Sequence, residues 1–220
     1  MPRPLLALFD VDETLIRVKS MFSLLDRILL AQGWYPQDRQ HAVDRFRRLA
    51  ASGQSREKVN AAYYKGFAGL SRQWVMQQGS EWFKESAAEG TLFHEPVLEE
   101  LEELRDTGTI IALVSGSFEA CLTPIANAVG ASHVLGSHPT TNGDIYTGEL
   151  QTRMIGRAKG VAATNLIEHL KLDPNLTRAY GDHPSDAALL RAVSEGVVVG
   201  NNSEMRRLAY HEGWRVLPID

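Results

Sequence analysis

The segment Leu5-Leu6-Ala7-Leu8-Phe9-Asp10-Val11-Asp12-Glu13-Thr14-Leu15 decides the fold of this chain. Its apolar run, residues 5–9, predicts a strand that is buried on both faces, as in a parallel sheet. Carboxylates are costly inside such a strand, so we expect Asp10 and Asp12 at its C-terminal end, where open α/β sheets bind ligands. At this i, i+2 spacing, the two side chains point to the same side if the chain stays extended.

Two converging carboxylates repel each other unless a cation or a shared proton offsets their charge. The pair Asp10 and Asp12 therefore predicts either a metal site or a nucleophile beside an acid/base. A structural alternative is that both aspartates begin a turn and cap the helix that follows.

The composition predicts a soluble globular protein. Its 220 residues, 44% hydrophobic and 23% charged, fit one large domain or a core domain with an insert. A formal charge of −4 argues against general nucleic-acid binding, because Lys and Arg are not in excess. The single cysteine, Cys121, gives no disulfide framework and favours a reducing compartment. Since no apolar run approaches the ~18 residues of a membrane span and residues 5–9 are too few for a secretion signal, we expect a cytoplasmic protein without membrane contact.

The order of predicted elements is a strand, a helical insert and then alternating strands and helices. Helical periodicity alone predicts the insert over residues 17–90. The alternation that follows predicts an α/β fold, a doubly wound Rossmann-like parallel sheet, formed by residues 1–16 and 91–220. The later strands are predicted at 109–114, 134–135, 177–180, 196–199 and 215–217, with a hairpin at 140–150 and a helix at 185–193.

Polar residues follow three other predicted strands or open the next helix. The hydroxyl of Ser115, next to Gly116, suits a phosphate oxygen at a helix N-terminus, or is an ordinary helix cap. Lys159 opens a helix, where a cation opposes the helix dipole and needs a compensating anion unless it is solvated. Asp186 has the position of a capping residue, but capping leaves Asp182 at a strand end unexplained. Together, these polar residues at strand and helix ends predict a site that binds phosphate or a metal.

The motifs resemble those of a known family. Asp10-Val11-Asp12-Glu13-Thr14 matches the DxDxT signature of the haloacid dehalogenase superfamily of phosphohydrolases. Ser115, Lys159 and residues 181–186 stand where the second, third and fourth motifs of that superfamily are expected. The resemblance covers nearly the whole chain. The insert and the tail at 199–209 resemble the phosphoserine-phosphatase-like branch, subfamily IB, which has a helical C1 cap.

The resemblance implies a catalytic role for two residues. Asp10 is the implied nucleophile, which forms an aspartyl-phosphate and so divides one difficult displacement into two. Asp12 is the implied general acid for the leaving alcohol and then the base for the attacking water.

The resemblance also implies how metal and phosphate are bound. Mg²⁺ is implied to be held by Asp10, Asp182 and the backbone carbonyl of Asp12, with Asp186 either a further ligand or a partner of the ligands. The phosphoryl oxygens are implied to be held by Ser115, Gly116 and Lys159.

Two departures from the family pattern bear on the substrate and the pocket. In phosphoserine phosphatases an acidic residue shortly after DxDxT binds the substrate ammonium, and here the matching region is Arg17-Val18-Lys19, with Lys19 nearest. A cation there repels an ammonium group and attracts a carboxylate, a second phosphate or hydroxyls, unless Arg17 and Lys19 are only solvated hinge residues. His183 replaces a residue that is usually small. It either faces the pocket or lies exposed at a helix N-terminus, and we favour the exposed position.

The sequence therefore predicts a Mg²⁺-dependent phosphomonoester hydrolase for a small phosphorylated metabolite other than phosphoserine. A phosphoryl transferase or a phosphoserine phosphatase on the same site remains an alternative. A non-catalytic phosphate-binding module, which belongs to a different class of function, is a further alternative. The intact pair Asp10 and Asp12 favours an enzyme, because a binding module needs no such pair. The histidines show no metal-ligand spacing, which argues against zinc.

Overall fold

A six-stranded sheet, parallel throughout, forms the centre of the computed structural model, which describes residues 3–219. In the sheet the strands lie in the order β3-β2-β1-β6-β7-β8, so the first strand of the chain is central. This arrangement confirms the predicted α/β fold. The strands are β1 (Leu6–Phe9), β2 (Ile110–Val114), β3 (His133–Leu135), β6 (Thr177–Gly181), β7 (Glu195–Val199) and β8 (Arg215–Leu217); β4 (His138–Asn142) and β5 (Ile145–Thr152) form the predicted hairpin beside the sheet.

Nine helices lie within the described part of the chain. The first four, which form the helical insert, are α1 (Ser20–Ala31), α2 (Pro36–Ala51), α3 (Arg56–Lys65) and α4 (Arg72–Ala88). The other five flank the sheet and are α5 (Glu95–Asp106), α6 (Glu119–Val129), α7 (Arg157–His169), α8 (Ala187–Arg191) and α9 (Ser203–Glu212). The helix predicted at 185–193 is shorter than expected, because a 3-10 turn at Pro184–Asp186 precedes α8.

Strand β1 is buried on both faces, as its apolar sequence predicts. Ala7 and Phe9 belong to one apolar cluster, together with residues of α5 and α6. Leu6 and Leu8 belong to a second cluster, together with residues of α7, α8 and α9. Alternate side chains of one strand thus enter two cores, which is the doubly wound architecture.

The insert leaves and re-enters the core at one place. The amide of Arg17 donates to the carbonyl of Leu92, and the amide of His94 donates to the carbonyl of Leu15. The division into a core (1–16 and 91–220) and a cap (17–90) fits this closed junction and remains our proposal.

The cap packs tightly against the core through α4 and α6. A Cβ atom added at Gly79 of α4 would lie 1.9 Å from the carbonyl oxygen of Ala120 in α6, so only glycine allows this approach. The hairpin adds a second attachment, because Asp144 accepts from the amides of Arg72 and Gln73 at the start of α4. None of the helices within residues 3–219 has both the length and the hydrophobicity needed to cross a membrane.

Candidate functional site

The C-terminal ends of the central strands open into a cavity of about 690 Å³ between core and cap. Most of the predicted site residues line it: Asp10, Asp12, Lys19, Ser115, Gly116, Lys159 and Asp182. Asp186 lies fully buried next to this group. Arg17 instead lines a neighbouring cleft of about 1110 Å³ among the cap helices.

The chain turns directly after Asp10, so the segment from Asp10 to Asp12 is not extended, and the i, i+2 spacing does not by itself align the two side chains. Strand β1 ends at Phe9, and the carbonyl of Val11 accepts from the amides of Thr14, Leu15 and Ile16. This tight turn also places Glu13 at a φ of 66°. The two carboxylates reach the same cavity through the turn, and not through a shared strand face.

Asp10 lies at the bottom of the cavity and is only 4% exposed. The Nζ atom of Lys159 lies 2.5 Å from its Oδ1, and the hydroxyl of Thr14 lies 2.8 Å from its Oδ2. Burial raises the pKa of Asp10, whereas the adjacent Lys159 ammonium opposes that rise. The ammonium therefore favours the ionised form of this carboxyl group.

Lys159 lies between two carboxylates, which confirms that it needs a compensating anion. Its Nζ contacts Asp10 and also Asp186, at 2.6 Å, and its side chain is 4% exposed. The two carboxylates outweigh the effect of burial and raise the pKa of Lys159 above its usual range. The residue enters the site in the first turn of α7, after Gly156 at a φ of 59°. Its role in phosphate binding remains a prediction, because its contacts here are with carboxylates.

Asp182 completes a group of three acidic residues that suits a divalent cation. One ligand oxygen from each of Asp10, Asp182 and Asp186 lies within 4.8 Å of the others. Burial and the charge of Asp186 raise the pKa of Asp182 to about 6. One ammonium, that of Lys159, contacts two of these three carboxyl groups, and carboxyl oxygens grouped in this way are ligands that Mg²⁺ prefers.

Asp186 is held on both of its carboxylate oxygens. Oδ1 accepts from Lys159, and Oδ2 accepts from the amide of His183 at 3.2 Å. A Cβ at Gly181 would lie 2.6 Å from the Cβ of Asp186, so the glycine at the end of β6 is what allows Asp186 to approach.

Asp12 lies outside the three-carboxylate group. Its Oδ1 accepts from the amide of Ser20, the first residue of α1, at 2.9 Å. The structural alternative, helix capping, therefore holds in part for this residue. Asp12 also lines the cavity, and burial raises its pKa despite the hydrogen bonds from Ser20. A raised pKa favours the protonated form, which is the form that a general acid needs.

The loop after β2 carries the predicted phosphate-binding residues. Ser115 is buried, and its hydroxyl oxygen accepts from the amide of Ser117 at 3.1 Å. This bond closes a turn within the loop and does not cap the helix, because α6 begins only at Glu119 and its N-cap residue is Phe118. Gly116 follows on the cavity wall, where a Cβ would lie 3.1 Å from the side chain of Ile155. The turn thus exposes its backbone to the cavity.

Several residues that line the cavity could not be singled out from the sequence, and one predicted position is wrong. Arg56 and Asn60 of α3 reach the cavity from the cap, and Arg56 Nη1 donates to Ser185 Oγ at 3.3 Å. His183 is half-buried on the cavity wall, so the expected exposed position is wrong. Its ring turns inward because Nδ1 accepts from the amide of Ser185 at 3.1 Å. Burial and the nearby Arg56 lower the pKa of His183 to about 4, so its ring is neutral at physiological pH.

The two residues considered for substrate selection have partners within the protein. Lys19 lies on the cavity wall, where its Nζ is 3.2 Å from Oε2 of Glu13. Arg17 is exposed, and its Nε donates to the carbonyl of Phe93. Glu13 therefore offsets part of the Lys19 charge.

Comparison with known proteins identifies the family of this chain. Residues 7–191 match the model of the haloacid dehalogenase-like hydrolase family. The histidinol-phosphatase of Neisseria meningitidis serogroup C is 26% identical over 96% of this chain and 97% of its own length. A protein of unknown function from Bordetella pertussis Tohama I has a similar crystal structure, with a TM-score of 0.84, 22% identity and coverage of 98% of this chain and 99% of its own.

A phosphoserine phosphatase, solved as an analogue of its phospho-aspartyl intermediate, has the same fold. The TM-score is 0.71 at 16% identity, over 99% of this chain and 94% of that one. The family match covers most of the chain, and the structural matches extend over 98% and 99% of it. The resemblance predicted from the four motifs is thereby confirmed, and this chain belongs to the haloacid dehalogenase-like hydrolase family.

Proposed function

We propose that this hydrolase is a Mg²⁺-dependent phosphomonoesterase that forms an aspartyl-phosphate on Asp10. The observation that carries the proposal is the position of Asp10 at the end of β1. There it contacts Lys159 and is grouped with Asp182 and Asp186 beside a cavity of metabolite size. The relative named histidinol-phosphatase and the phosphoserine phosphatase fold are consistent with such an activity.

In the first half-reaction an oxygen of Asp10 attacks phosphorus, and the bond from phosphorus to the leaving oxygen breaks. Asp12, whose pKa is raised by burial, acts as the general acid and donates a proton to that oxygen. In the second half-reaction the Asp12 carboxylate accepts a proton from water, the water oxygen attacks the phosphorus of the aspartyl-phosphate, and phosphate leaves. Lys159 favours the ionised form of the attacking carboxyl and holds it in place, while Ser115 and the backbone at Gly116 bind phosphoryl oxygens.

The acidic group would hold Mg²⁺ through Asp10 and Asp182, with Asp186 as a ligand or as a partner of the ligands and Asp12 contributing its backbone carbonyl. When bound, the ion supplies positive charge that offsets repulsion between these carboxylates and the phosphate dianion.

We expect phosphate release from small phosphomonoesters to require Mg²⁺. Release should stop with a chelator and return when Mg²⁺ is added, because the excess carboxylate charge otherwise repels the substrate. Ca²⁺ should not replace it, since its coordination is larger and looser. The measurement is a screen of phosphomonoesters, histidinol phosphate included, that reads free phosphate. Full activity in metal-free protein would contradict the metal requirement. Bound phosphate without any turnover would favour the binding module, and transfer to an added alcohol would favour the transferase.

We further propose that the preferred substrate has no free amine near its phosphate. Lys19 and Arg56 place two cations on the cavity wall, which disfavour an ammonium group and favour a carboxylate, a second phosphate or hydroxyls. The kcat/KM for phosphoserine should therefore be about tenfold below that for a matched phosphate without an amine. Lys19→Glu should reduce this preference.

The control for Lys19→Glu is Lys58→Glu, because Lys58 is exposed on α3 and does not line the cavity. It should leave the ratio of the two kcat/KM values unchanged. A wild-type preference for phosphoserine, or a ratio that Lys19→Glu does not move, would show that Lys19 is not the selector.

A further inference from the structure

The carbonyl oxygen of Gly116, in the predicted phosphate-binding loop, accepts three hydrogen bonds. The donors are Asn60 Nδ2 at 3.0 Å, the hydroxyl of Tyr64 at 3.2 Å and Ser137 Oγ at 2.8 Å. A carbonyl has two lone pairs, so three donors saturate it. Two of the donors come from the cap helix α3, and only Ser137 belongs to the core.

Asn60 and Tyr64 lie four residues apart, so they project from the same face of α3. Both are buried, with exposed fractions of 4% and 1%. The Oδ1 atom of Asn60 is also buried and has no hydrogen-bond partner among residues 3–219. Burying an amide oxygen without a partner is costly. The asparagine is therefore a poor choice for packing alone, and its useful contact is the donation to Gly116.

The same loop has a second contact with the cap. The hydroxyl of Ser20, at the start of α1, donates to Ser117 Oγ at 3.0 Å, and both residues are buried. On the core side, the amide of Ser137 donates to the carbonyl of Ser117 at 2.8 Å. The loop is thus held between core and cap, and three of these four side-chain donors belong to the cap.

We propose that Asn60 and Tyr64 are positioning residues for phosphate binding, through which the seated cap holds the Gly116 peptide in its phosphate-binding conformation. The inference rests on the proposed function, because it assumes that the loop at 115–117 binds phosphoryl oxygens. Its consequence is that the cap is part of the phosphate site. Loss of its hydrogen bonds to Gly116 weakens phosphate binding, although neither side chain has to touch the phosphate.

The chain provides a matched pair of variants, Tyr64→Phe and Tyr63→Phe. The two tyrosines are adjacent on α3 and each is 1% exposed. The Tyr63 hydroxyl, unlike that of Tyr64, has no hydrogen-bond partner within the described residues. Each variant removes one buried hydroxyl and keeps the ring, so a purely structural effect should be similar in both or should show in thermal stability.

The probe is inorganic phosphate, whose dissociation constant is measured by calorimetry in the presence of Mg²⁺. Tyr64→Phe should raise this constant about threefold to tenfold, whereas Tyr63→Phe should change it less than about twofold. Asn60→Leu, which removes a different donor to the same carbonyl, should raise it in the same range. It also tests the proposal if Tyr64→Phe does not fold. Equal phosphate affinity in wild type, Tyr64→Phe and Asn60→Leu would overturn the proposal.

Calorimetry needs no turnover, so the two proposals can fail separately. A wild-type protein that binds phosphate in this Tyr64-dependent way but hydrolyses no ester would support the positioning role and overturn the phosphatase. A protein that hydrolyses esters, but whose phosphate affinity does not depend on Tyr64 and Asn60, would support the phosphatase and overturn the positioning role. A wild-type protein that neither binds phosphate nor hydrolyses an ester would overturn both.

Discussion

Replacing Asp10 with asparagine should lower phosphate release by at least about 10³-fold and leave the protein folded. An amide has nearly the shape of a carboxylate, and its oxygen can still accept the hydrogen bond from Lys159, so packing at the end of β1 is preserved. It lacks the nucleophilic charge needed to attack phosphorus. The measurements are kcat/KM with an aryl phosphate in Mg²⁺ and the circular dichroism spectrum of wild type and variant.

The control for this substitution is Asp106→Asn at the end of α5. The side chain of Asp106 is 68% exposed and pairs with Arg105, and Asp106 does not line the cavity. It should keep wild-type turnover. If Asp10→Asn released phosphate at the wild-type rate, the covalent mechanism would be wrong, and the site would have to act by direct attack of water.

Much of the architecture could be predicted because the signals are local. The apolar run of β1 predicts a doubly buried strand, and the structure buries it on both faces. Polar residues at strand ends predict a common location, since the ends of parallel strands meet at one edge of a sheet. Asp10, Ser115 and Asp182 indeed line one cavity, although 172 positions separate the first from the last.

The cap's contribution could not be predicted in the same way. Arg56 and Asn60 reach the cavity only because α3 is placed over the loop after β2, and that placement depends on contacts distant in sequence, such as Asn60 with Gly116. A helix face that covers a site has the same sequence pattern as one that covers a core. His183 was misplaced for a related reason, since one hydrogen bond to the amide of Ser185 turns its ring inward.

The partners of Lys159 also could not be predicted from the local sequence pattern. Its position at a helix start predicted that some anion must compensate it, but the two carboxylates that do so lie 149 and 27 positions away. Burying an unpaired ammonium costs free energy, so the contact with these two carboxylates explains why Lys159 can be buried.

Replacing Lys159 with methionine should therefore affect stability as well as activity. It leaves Asp10 and Asp186 as buried carboxylates without their cation, a change expected to cost ~3–5 kcal/mol in the free energy of unfolding when no metal is present. Mg²⁺ should recover part of this loss, because an ion that binds only the folded state stabilises it by mass action. Phosphate release should fall at least about 10²-fold even in Mg²⁺, because the attacking carboxyl loses the group that positions it.

The stability loss in Lys159→Met should depend on pH with a definite sign. Carboxyl groups whose pKa is raised in the folded state bind protons more tightly there than in the unfolded chain, so their ionisation destabilises the fold as pH rises. Burial already raises the pKa of Asp10 and of Asp182, and removing the ammonium should raise that of Asp10 further. Since the pKa of Asp10 in the wild type is raised to about 8, the difference in unfolding free energy between wild type and variant in metal-free buffer should be larger at about pH 9 than at about pH 5.

Two further variants test whether the stability loss comes from the missing positive charge at position 159 or from the loss of any lysine side chain. Lys84→Met, on an exposed position of α4, should leave stability, its pH dependence and activity unchanged. In the double variant Lys159→Met with Asp186→Asn, one of the stranded charges is removed, so part of the stability should return while activity stays low. Urea unfolding with and without Mg²⁺ measures each case. A Lys159→Met protein as stable as wild type in metal-free buffer at about pH 9 would mean that the ammonium does not stabilise the Asp10 carboxylate and does not hold it in its attacking form.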